Sequence, residues 1–191
     1  MVKLEMIEDA RDDAIAAWFA GRLRAALAQS PEIAVTVPGG STPFPIFDLL
    51  AKEDLPWQRI SVWPGDDRIV EEDHPASNVG KIRARLEPAG ARIVPLTEGG
   101  DGHIASLFPN TDPQADDPHP VRRLTPDPLP PEAPFDRLSL TIPSLTDSDE
   151  IMFVIRGADK RAVFDAAVQG ENDLPIARLL KAARHKVTCF C

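Results

Sequence analysis

The chain has 191 residues, of which 43% are hydrophobic and 20 are prolines, and its formal net charge is −9 at pH 7. The length favours one domain over residues 1–191, and the composition argues against a collagen, a coiled coil or a disordered chain. The acidic balance disfavours a nucleic-acid partner, which needs a basic surface, but leaves room for a small anion in a locally basic pocket.

Apolar residues recur along the chain in two alternating patterns, one typical of helices and one typical of strands. We expect helices over residues 12–28, 44–52, from 78 onward, 158–169 and from 175 onward. We expect strands over residues 33–37, 60–63, 93–96, 138–142, 151–155 and 187–191. Thr42 and Asn78 are expected as N-caps, with Pro43 as a first helical residue and with Trp18 and Phe19 in the core. Strands that alternate with helices predict an α/β fold with a mostly parallel sheet.

Neither end of the chain suggests export or a membrane. The N-terminus lacks the apolar core of a signal peptide, and no run reaches the length of a spanning helix. Cys189 and Cys191 form no disulfide framework, which fits a reducing compartment. Nearby His185 makes a metal site conceivable, but a terminal strand with small side chains is the simpler interpretation. We therefore expect a cytoplasmic protein with no membrane partner, no metal and no cofactor.

Prolines concentrate between Pro109 and Pro134, where nine of the 20 lie among several acidic residues. This composition predicts an extended surface loop and not a second domain. A partial lid over a neighbouring site is the alternative interpretation.

A glycine turn separates the first predicted strand from the second predicted helix. It reads Gly39-Gly40-Ser41-Thr42. Glycines let a backbone approach a ligand closely, a helix N-terminus offers unpaired N–H groups, and two hydroxyls add hydrogen bonds. The turn suits a phosphate, although a purely structural turn remains open.

A charged turn, Asp66-Asp67-Arg68, follows the strand over residues 60–63. Ligands of open α/β sheets bind beyond the carboxyl ends of the strands, where Arg68 could clamp a phosphate with two parallel hydrogen bonds. A surface turn with an internal ion pair is the alternative.

Two further positions carry candidate chemistry. His103 is surrounded by glycines in Gly99-Gly-Asp-Gly-His103, and a neutral imidazole can act as a general base, oriented by Asp101 or another carboxylate. Lys160 falls in the first turn of a helix, where a cation opposes the helix dipole and is better explained by a bound anion. A structural histidine and a solvated lysine are the alternatives.

Together these motifs resemble one family, the 6-phosphogluconolactonases and the related glucosamine-6-phosphate deaminases. The matching segments occur in the order of the family. They are Val37-Pro-Gly-Gly-Ser-Thr-Pro43, Gly65-Asp-Asp-Arg68, Asp73-His-Pro-Ala-Ser-Asn78, Asp101-Gly-His-Ile-Ala-Ser-Leu-Phe-Pro109, Arg137-Leu-Ser-Leu-Thr-Ile-Pro143 and Gly157-Ala-Asp-Lys160. The deaminases typically have Glu-Tyr where this chain has Asp67-Arg68, so the resemblance favours the lactonases.

The resemblance implies a three-layer, Rossmann-like sheet with helices on both faces. It implies hydrolysis of 6-phospho-D-glucono-1,5-lactone in the pentose phosphate pathway, with His103 as the base and Asp101 beside it, and we expect a monomer. The substrate-binding residues would be Gly39, Gly40, Ser41, Thr42, Asp66, Arg68 and Lys160. The alternatives are an aminosugar-phosphate deaminase or isomerase and a catalytically silent phosphosugar-binding protein.

The chain departs from this family between residues 79 and 100, where it is short. Only 22 residues separate Asn78 from Asp101. Residues 92–100 could replace the family's central strand and turn, or residues 91–96 could be an earlier edge strand, with the next helix and strand missing. Residues of the natural protein could also be absent from this sequence. Pro95 favours an edge strand, because proline cannot donate to a central ladder.

Overall fold

A computed structural model describes residues 3–96, 111–129, 131 and 134–191. The helices are α1 Asp12–Leu27, α2 Phe44–Leu50, α3 Asn78–Leu86, α4 Ile142–Thr146, α5 Ala158–Gln169 and α6 Pro175–Ala182. The strands are β1 Leu4–Ile7, β2 Ile33–Val37, β3 Ile60–Pro64, β4 Asp66–Arg68, β5 Arg92–Ile93, β6 Val121–Leu124, β7 Arg137–Leu140, β8 Glu150–Val154 and β9 Lys186–Phe190. The predicted α/β class, with parallel strands and helices, is confirmed. No helix in the described ranges is long and apolar enough to cross a membrane.

The chain divides into two compact units, Arg11–Thr97 on one side and Met1–Ala10 with Glu98–Cys191 on the other. The prediction of one domain over residues 1–191 stays a prediction, since contacts alone do not test it.

The unit Arg11–Thr97 contains a parallel sheet in the order β2, β3, β5. β-Branched residues dominate β2, and Val35 of β2 pairs with Val62 of β3 in the register. Helix α1 packs on α2 and buries a stripe made of Ile15, Ala16, Ala20, Leu23 and Leu27. Trp18 and Phe19 are only half-buried, so their placement in the core was wrong. The small alanines allow α1 to approach its neighbours closely, and the aromatic rings lie at the margin.

Strand β5 lies at the edge of this sheet among the residues that the structure describes. It has two residues, and Arg92 and Ile93 pair with Ser61 and Val62 of β3. Val94 N donates to the carbonyl oxygen of Val62 at 2.9 Å. The ladder ends at that bond, just before Pro95, which has no N–H to donate. The interpretation of residues 91–96 as an edge strand agrees with this pairing.

The other unit contains a second parallel sheet, in the order β1, β9, β8. Its centre is β9, which carries the fully buried Cys189, so the terminal strand was predicted correctly. Strand β1 was missed, because four residues give too short a pattern and its parallel partner lies at the far end of the chain. The proline-rich segment was not simply a loop, since it contains β6, which pairs antiparallel with β7.

Two predicted N-caps were wrong. Helix α2 begins at Phe44, and the residue before it is Pro43 in a helical conformation, with no side-chain cap. Thr42 is therefore part of the preceding turn. Helix α3 is capped by Ser77, whose Oγ accepts a hydrogen bond from Gly80 N at 3.1 Å, and Asn78 is its first residue. A shorter hydroxyl side chain takes the cap, which leaves the Asn78 carboxamide for other contacts.

Candidate functional site

The glycine turn joins β2 to α2, and its two glycines meet different demands. Gly40 has φ of +101°, in the left-handed region, and an added Cβ would meet nothing within 4 Å. Gly39 lies outside that φ range, but an added Cβ would fall 2.0 Å from Oδ1 of Asn78. A side chain at position 40 would therefore strain the backbone, whereas a side chain at position 39 would clash with Asn78.

The residues after Gly40 shape what this turn can offer an anion. Gly40 and Ser41 are exposed and Thr42 is half-buried. Pro43 and Pro45 lack the N–H groups that a helix N-terminus would otherwise present, and α2 has only seven residues. The predicted contribution of a helix terminus is thus weaker than expected, and the exposed turn with its hydroxyls is the part suited to a phosphate.

The guanidinium of Arg68 is held by one of its nitrogens. Its Nη1 donates to the carbonyl oxygen of Ala76 at 3.0 Å and to Oδ1 of Asn78 at 2.6 Å. Its Nε is buried and finds no hydrogen-bond acceptor in the described part of the chain. Nε–H and an Nη2–H lie along the guanidinium edge that typically binds phosphate in a bidentate manner, and neither hydrogen bond of Nη1 uses that edge.

The two acidic neighbours of Arg68 accept hydrogen bonds from backbone N–H groups and from the Asn78 carboxamide. Asp67 is buried and accepts hydrogen bonds from the backbone N–H groups of Arg68, Asn78 and Val79 at 2.8, 2.6 and 2.9 Å. Its carboxylate thereby satisfies the N-terminus of α3. Asp66 accepts from Nδ2 of Asn78 through its Oδ1 at 3.0 Å and its carbonyl oxygen at 2.9 Å.

The two hydrogen bonds that hold the Arg68 guanidinium go to neutral acceptors, the Ala76 carbonyl and the Asn78 carboxamide. Within residues 3–96, 111–129, 131 and 134–191, no ion pair joins Arg68 to Asp66 or Asp67. Residues Asp66–Arg68 form strand β4, so the alternative interpretation, a surface turn with an internal ion pair, does not describe them. A guanidinium fixed by neutral acceptors beside a glycine turn is suited to an anionic ligand.

Lys160 belongs to the other unit, Met1–Ala10 with Glu98–Cys191. It lies in the first turn of α5 and is exposed, after Gly157 with φ of +92°. Asp101 and His103 lie outside the described residues. The structure thus groups Gly39, Asp66 and Arg68 around one side chain, that of Asn78.

Asn78 is the residue whose place in the site was missed. Its position before an amphipathic pattern indicated a helix cap, and nothing in the spacing reveals contacts back to residues 66 and 68. Sequence reasoning could have found it only by asking which side chain fixes the predicted phosphate-binding arginine. Among the described residues no three metal-ligating side chains of the His, Cys, Asp and Glu types cluster.

A family model covers most of the chain. The model of glucosamine-6-phosphate isomerases/6-phosphogluconolactonase matches residues 8–98 and 89–189. The chain belongs to this family. The resemblance predicted from the motifs is therefore confirmed.

Named relatives agree with the lactonase branch. A 6-phosphogluconolactonase of Pseudomonas aeruginosa is 34% identical over 206 residues, covering 88% of this chain and 86% of the relative. A 6-phosphogluconolactonase of Caulobacter vibrioides is 32% identical over 224 residues, covering 97% and 95%. Both alignments are longer than the 191-residue chain, so both relatives have residues that this chain lacks.

Solved structures agree on the fold. The 6-phosphogluconolactonase of Thermotoga maritima has a TM-score of 0.80 with 22% identity, covering all of this chain and 99% of that one. A 6-phosphogluconolactonase of Shewanella baltica has a TM-score of 0.79 with 21% identity, covering 100% and 98%. At this identity the likeness establishes the architecture and leaves the site to be argued from its residues.

The two matches of the family model share residues 89–98. The shared residues include β5 and lie within the stretch between residues 79 and 100, which is short by the motif spacing.

Proposed function

We propose that the chain hydrolyses 6-phospho-D-glucono-1,5-lactone to 6-phosphogluconate in the pentose phosphate pathway. The observation that carries the proposal is Arg68, with one edge of its guanidinium left for an anion in a family whose named relatives act as 6-phosphogluconolactonases. The exposed Gly40-Ser41-Thr42 turn is consistent with the same ligand group. A cytoplasmic monomer that needs no cofactor remains the expected form of the enzyme.

In this proposal the phosphate anchors the substrate away from the reacting bond. Arg68 binds two phosphate oxygens through Nε and Nη2, Ser41 and Thr42 donate from their hydroxyls, and Lys160 adds a point charge. Gly40 allows the backbone to approach, and Asp66 acts at the site through its link to Asn78. Holding the remote end fixes the lactone carbonyl relative to the catalytic groups, which lowers the entropic part of the barrier.

His103 is the proposed general base, oriented by Asp101. Its neutral imidazole takes a proton from water as the water oxygen bonds to the lactone carbonyl carbon. The tetrahedral intermediate then collapses, the bond from that carbon to the ring oxygen breaks, and the imidazolium returns the proton to the ring oxygen. The product is the open-chain acid, which ionises at neutral pH. Asp67 is no candidate nucleophile, since backbone N–H groups occupy its carboxylate.

The shortened stretch favours one competing function, a phosphosugar-binding protein without catalysis. Missing residues next to the segment that carries His103 could remove turnover and leave the Arg68 site intact. Arg68 in place of the tyrosine typical of the deaminases disfavours ammonia release from glucosamine 6-phosphate.

One assay separates these functions. The lactone is generated freshly from glucose 6-phosphate by its dehydrogenase, and 6-phosphogluconate formation is followed through a coupled dehydrogenase against a blank without the chain. We expect hydrolysis well above the uncatalysed rate and no ammonia from glucosamine 6-phosphate. Thermal stabilisation by 6-phosphogluconate with no hydrolysis above the blank would identify the silent binding protein and overturn the proposal.

A further inference from the structure

The carboxamide of Asn78 is buried, and both its oxygen and its nitrogen form hydrogen bonds. The residue is 1% exposed, although it opens a helix next to a surface loop. Its Nδ2 donates to Oδ1 and to the carbonyl oxygen of Asp66, and its Oδ1 accepts from Nη1 of Arg68 at 2.6 Å. One side chain therefore links the strand end that carries Asp66 to the guanidinium of Arg68.

The glycine turn fits against the same carboxamide. A Cβ added at Gly39 would lie 2.0 Å from Oδ1, 2.1 Å from Cγ and 2.4 Å from Nδ2 of Asn78. These separations are far below van der Waals contact, so an alanine at position 39 would displace the carboxamide. The backbone there is not in the left-handed region, since only Gly40 of this pair has positive φ. Alanine could therefore adopt the conformation of Gly39 if the carboxamide were absent.

We propose that Asn78 is a positioning residue for Arg68, and that Gly39 serves the site by making room for the Asn78 carboxamide. The first glycine of the turn thus acts on Arg68 through Asn78, whereas Gly40 supplies the turn conformation itself. This inference rests on the proposed function, in which Arg68 binds the substrate phosphate.

The physical reason is preorganisation of the guanidinium. An arginine side chain loses conformational entropy when it binds an anion, because several rotatable bonds become fixed. In this chain, Oδ1 of Asn78 and the Ala76 carbonyl fix Nη1 before the ligand binds. Both acceptors are neutral, so they orient the guanidinium without forming an ion pair with it. A displaced carboxamide would release Nη1 and move the Nε edge away from the phosphate oxygens.

The test is a double-mutant cycle of Gly39→Ala and Asn78→Ala. We expect each single change to raise KM for the phosphorylated lactone roughly tenfold, because a charge-assisted contact is misplaced. The kcat/KM for unphosphorylated D-glucono-1,5-lactone should fall by a smaller factor than the kcat/KM for the phosphorylated lactone. The double variant should resemble Asn78→Ala alone, since the added Cβ fills space that the missing carboxamide has vacated.

Gly40→Ala is the matched control in the same turn. Its added Cβ meets nothing within 4 Å, and its cost comes from φ of +101°. Its effect should therefore add to that of Asn78→Ala. If Gly39→Ala also adds fully to Asn78→Ala, or if the single changes lower only the unfolding temperature and leave KM unchanged, the inference is wrong.

A second cycle avoids the buried carboxamide in case Asn78→Ala does not fold. Gly39→Ala should cause no further rise in KM when Arg68 is already alanine, since the residue through which it acts is gone. A further rise in that background would overturn the inference. The two proposals fail in different ways: a wild type without hydrolysis contradicts the proposed function, and an active wild type with additive cycles contradicts only the positioning role.

Discussion

Arg68 is fixed through a single amino nitrogen, and this arrangement distinguishes arginine from lysine at the position. A lysine ammonium cannot contact the Ala76 carbonyl and Oδ1 of Asn78 while also presenting two parallel donors to a phosphate. The geometry of the side chain, and not its charge alone, is therefore expected to determine substrate affinity.

We predict that Arg68→Lys raises KM for the phosphorylated lactone by roughly 10- to 100-fold, because charge-assisted bidentate contacts are lost. The kcat/KM for D-glucono-1,5-lactone, which lacks the phosphate, should change little. Arg83→Lys is the control, since Arg83 forms surface ion pairs with Glu72 and Glu87 that contribute little. Equal losses on both lactones would assign Arg68 to the reacting end of the substrate.

At the scale of elements, the hairpin β6–β7 organises part of the proline-rich segment. Asp117 accepts from Nη2 of Arg122 at 2.9 Å and from the backbone N–H of His119 at 3.0 Å. The side chain of Asp117 is 8% exposed. The hydrogen bond from Arg122 lowers the pKa of the Asp117 carboxyl, against a smaller opposing effect of burial. The contact between Asp117 and Arg122 thus links the segment that precedes β6 to the strand.

We predict that Asp117→Asn lowers the free energy of unfolding by about 1 kcal/mol at pH 7, the upper end of the range for ion pairs with an exposed partner such as Arg122. A folded-state pKa below the unfolded value means that this stability is present above the unfolded pKa and is lost as the pH falls through the folded one. Urea unfolding of both proteins at pH 7 and in acid measures the difference.

Asp116→Asn is the control for that comparison, because Asp116 is the exposed neighbour of Asp117. It should leave the free energy of unfolding nearly unchanged at both pH values. A difference between Asp117→Asn and wild type that is as large in acid as at pH 7 would show that the carboxylate charge is not what stabilises the hairpin.

For the whole molecule, local patterns predicted most of the helices and strands, and long-range contacts limited the rest. Helix α5 was predicted with its observed bounds, because its apolar repeat is clear and Gly157 precedes it. Strand β6 was missed since prolines on both sides of Val121–Leu124 resemble a loop and its pairing partner is β7.

The candidate site could also be predicted only in part from the sequence. Arg68, Gly40 and Gly39 follow from residue type and from their places after strands. The role of Asn78 does not, because it depends on a fold that brings the ends of β2, β4 and α3 together. Motif spacing predicts that the chain is short between residues 79 and 100, and a measurement of catalysis is needed to show what this means for His103.

Hydrolysis of 6-phosphogluconolactone by wild type and by His103→Ala tests the central claim most directly. We expect the variant to lose roughly 10²- to 10⁴-fold in kcat, the usual contribution of a general base, and to keep its affinity for 6-phosphogluconate. His185→Ala, at an exposed histidine just before β9, should retain wild-type turnover. A His103→Ala variant with near-normal hydrolysis would contradict the account.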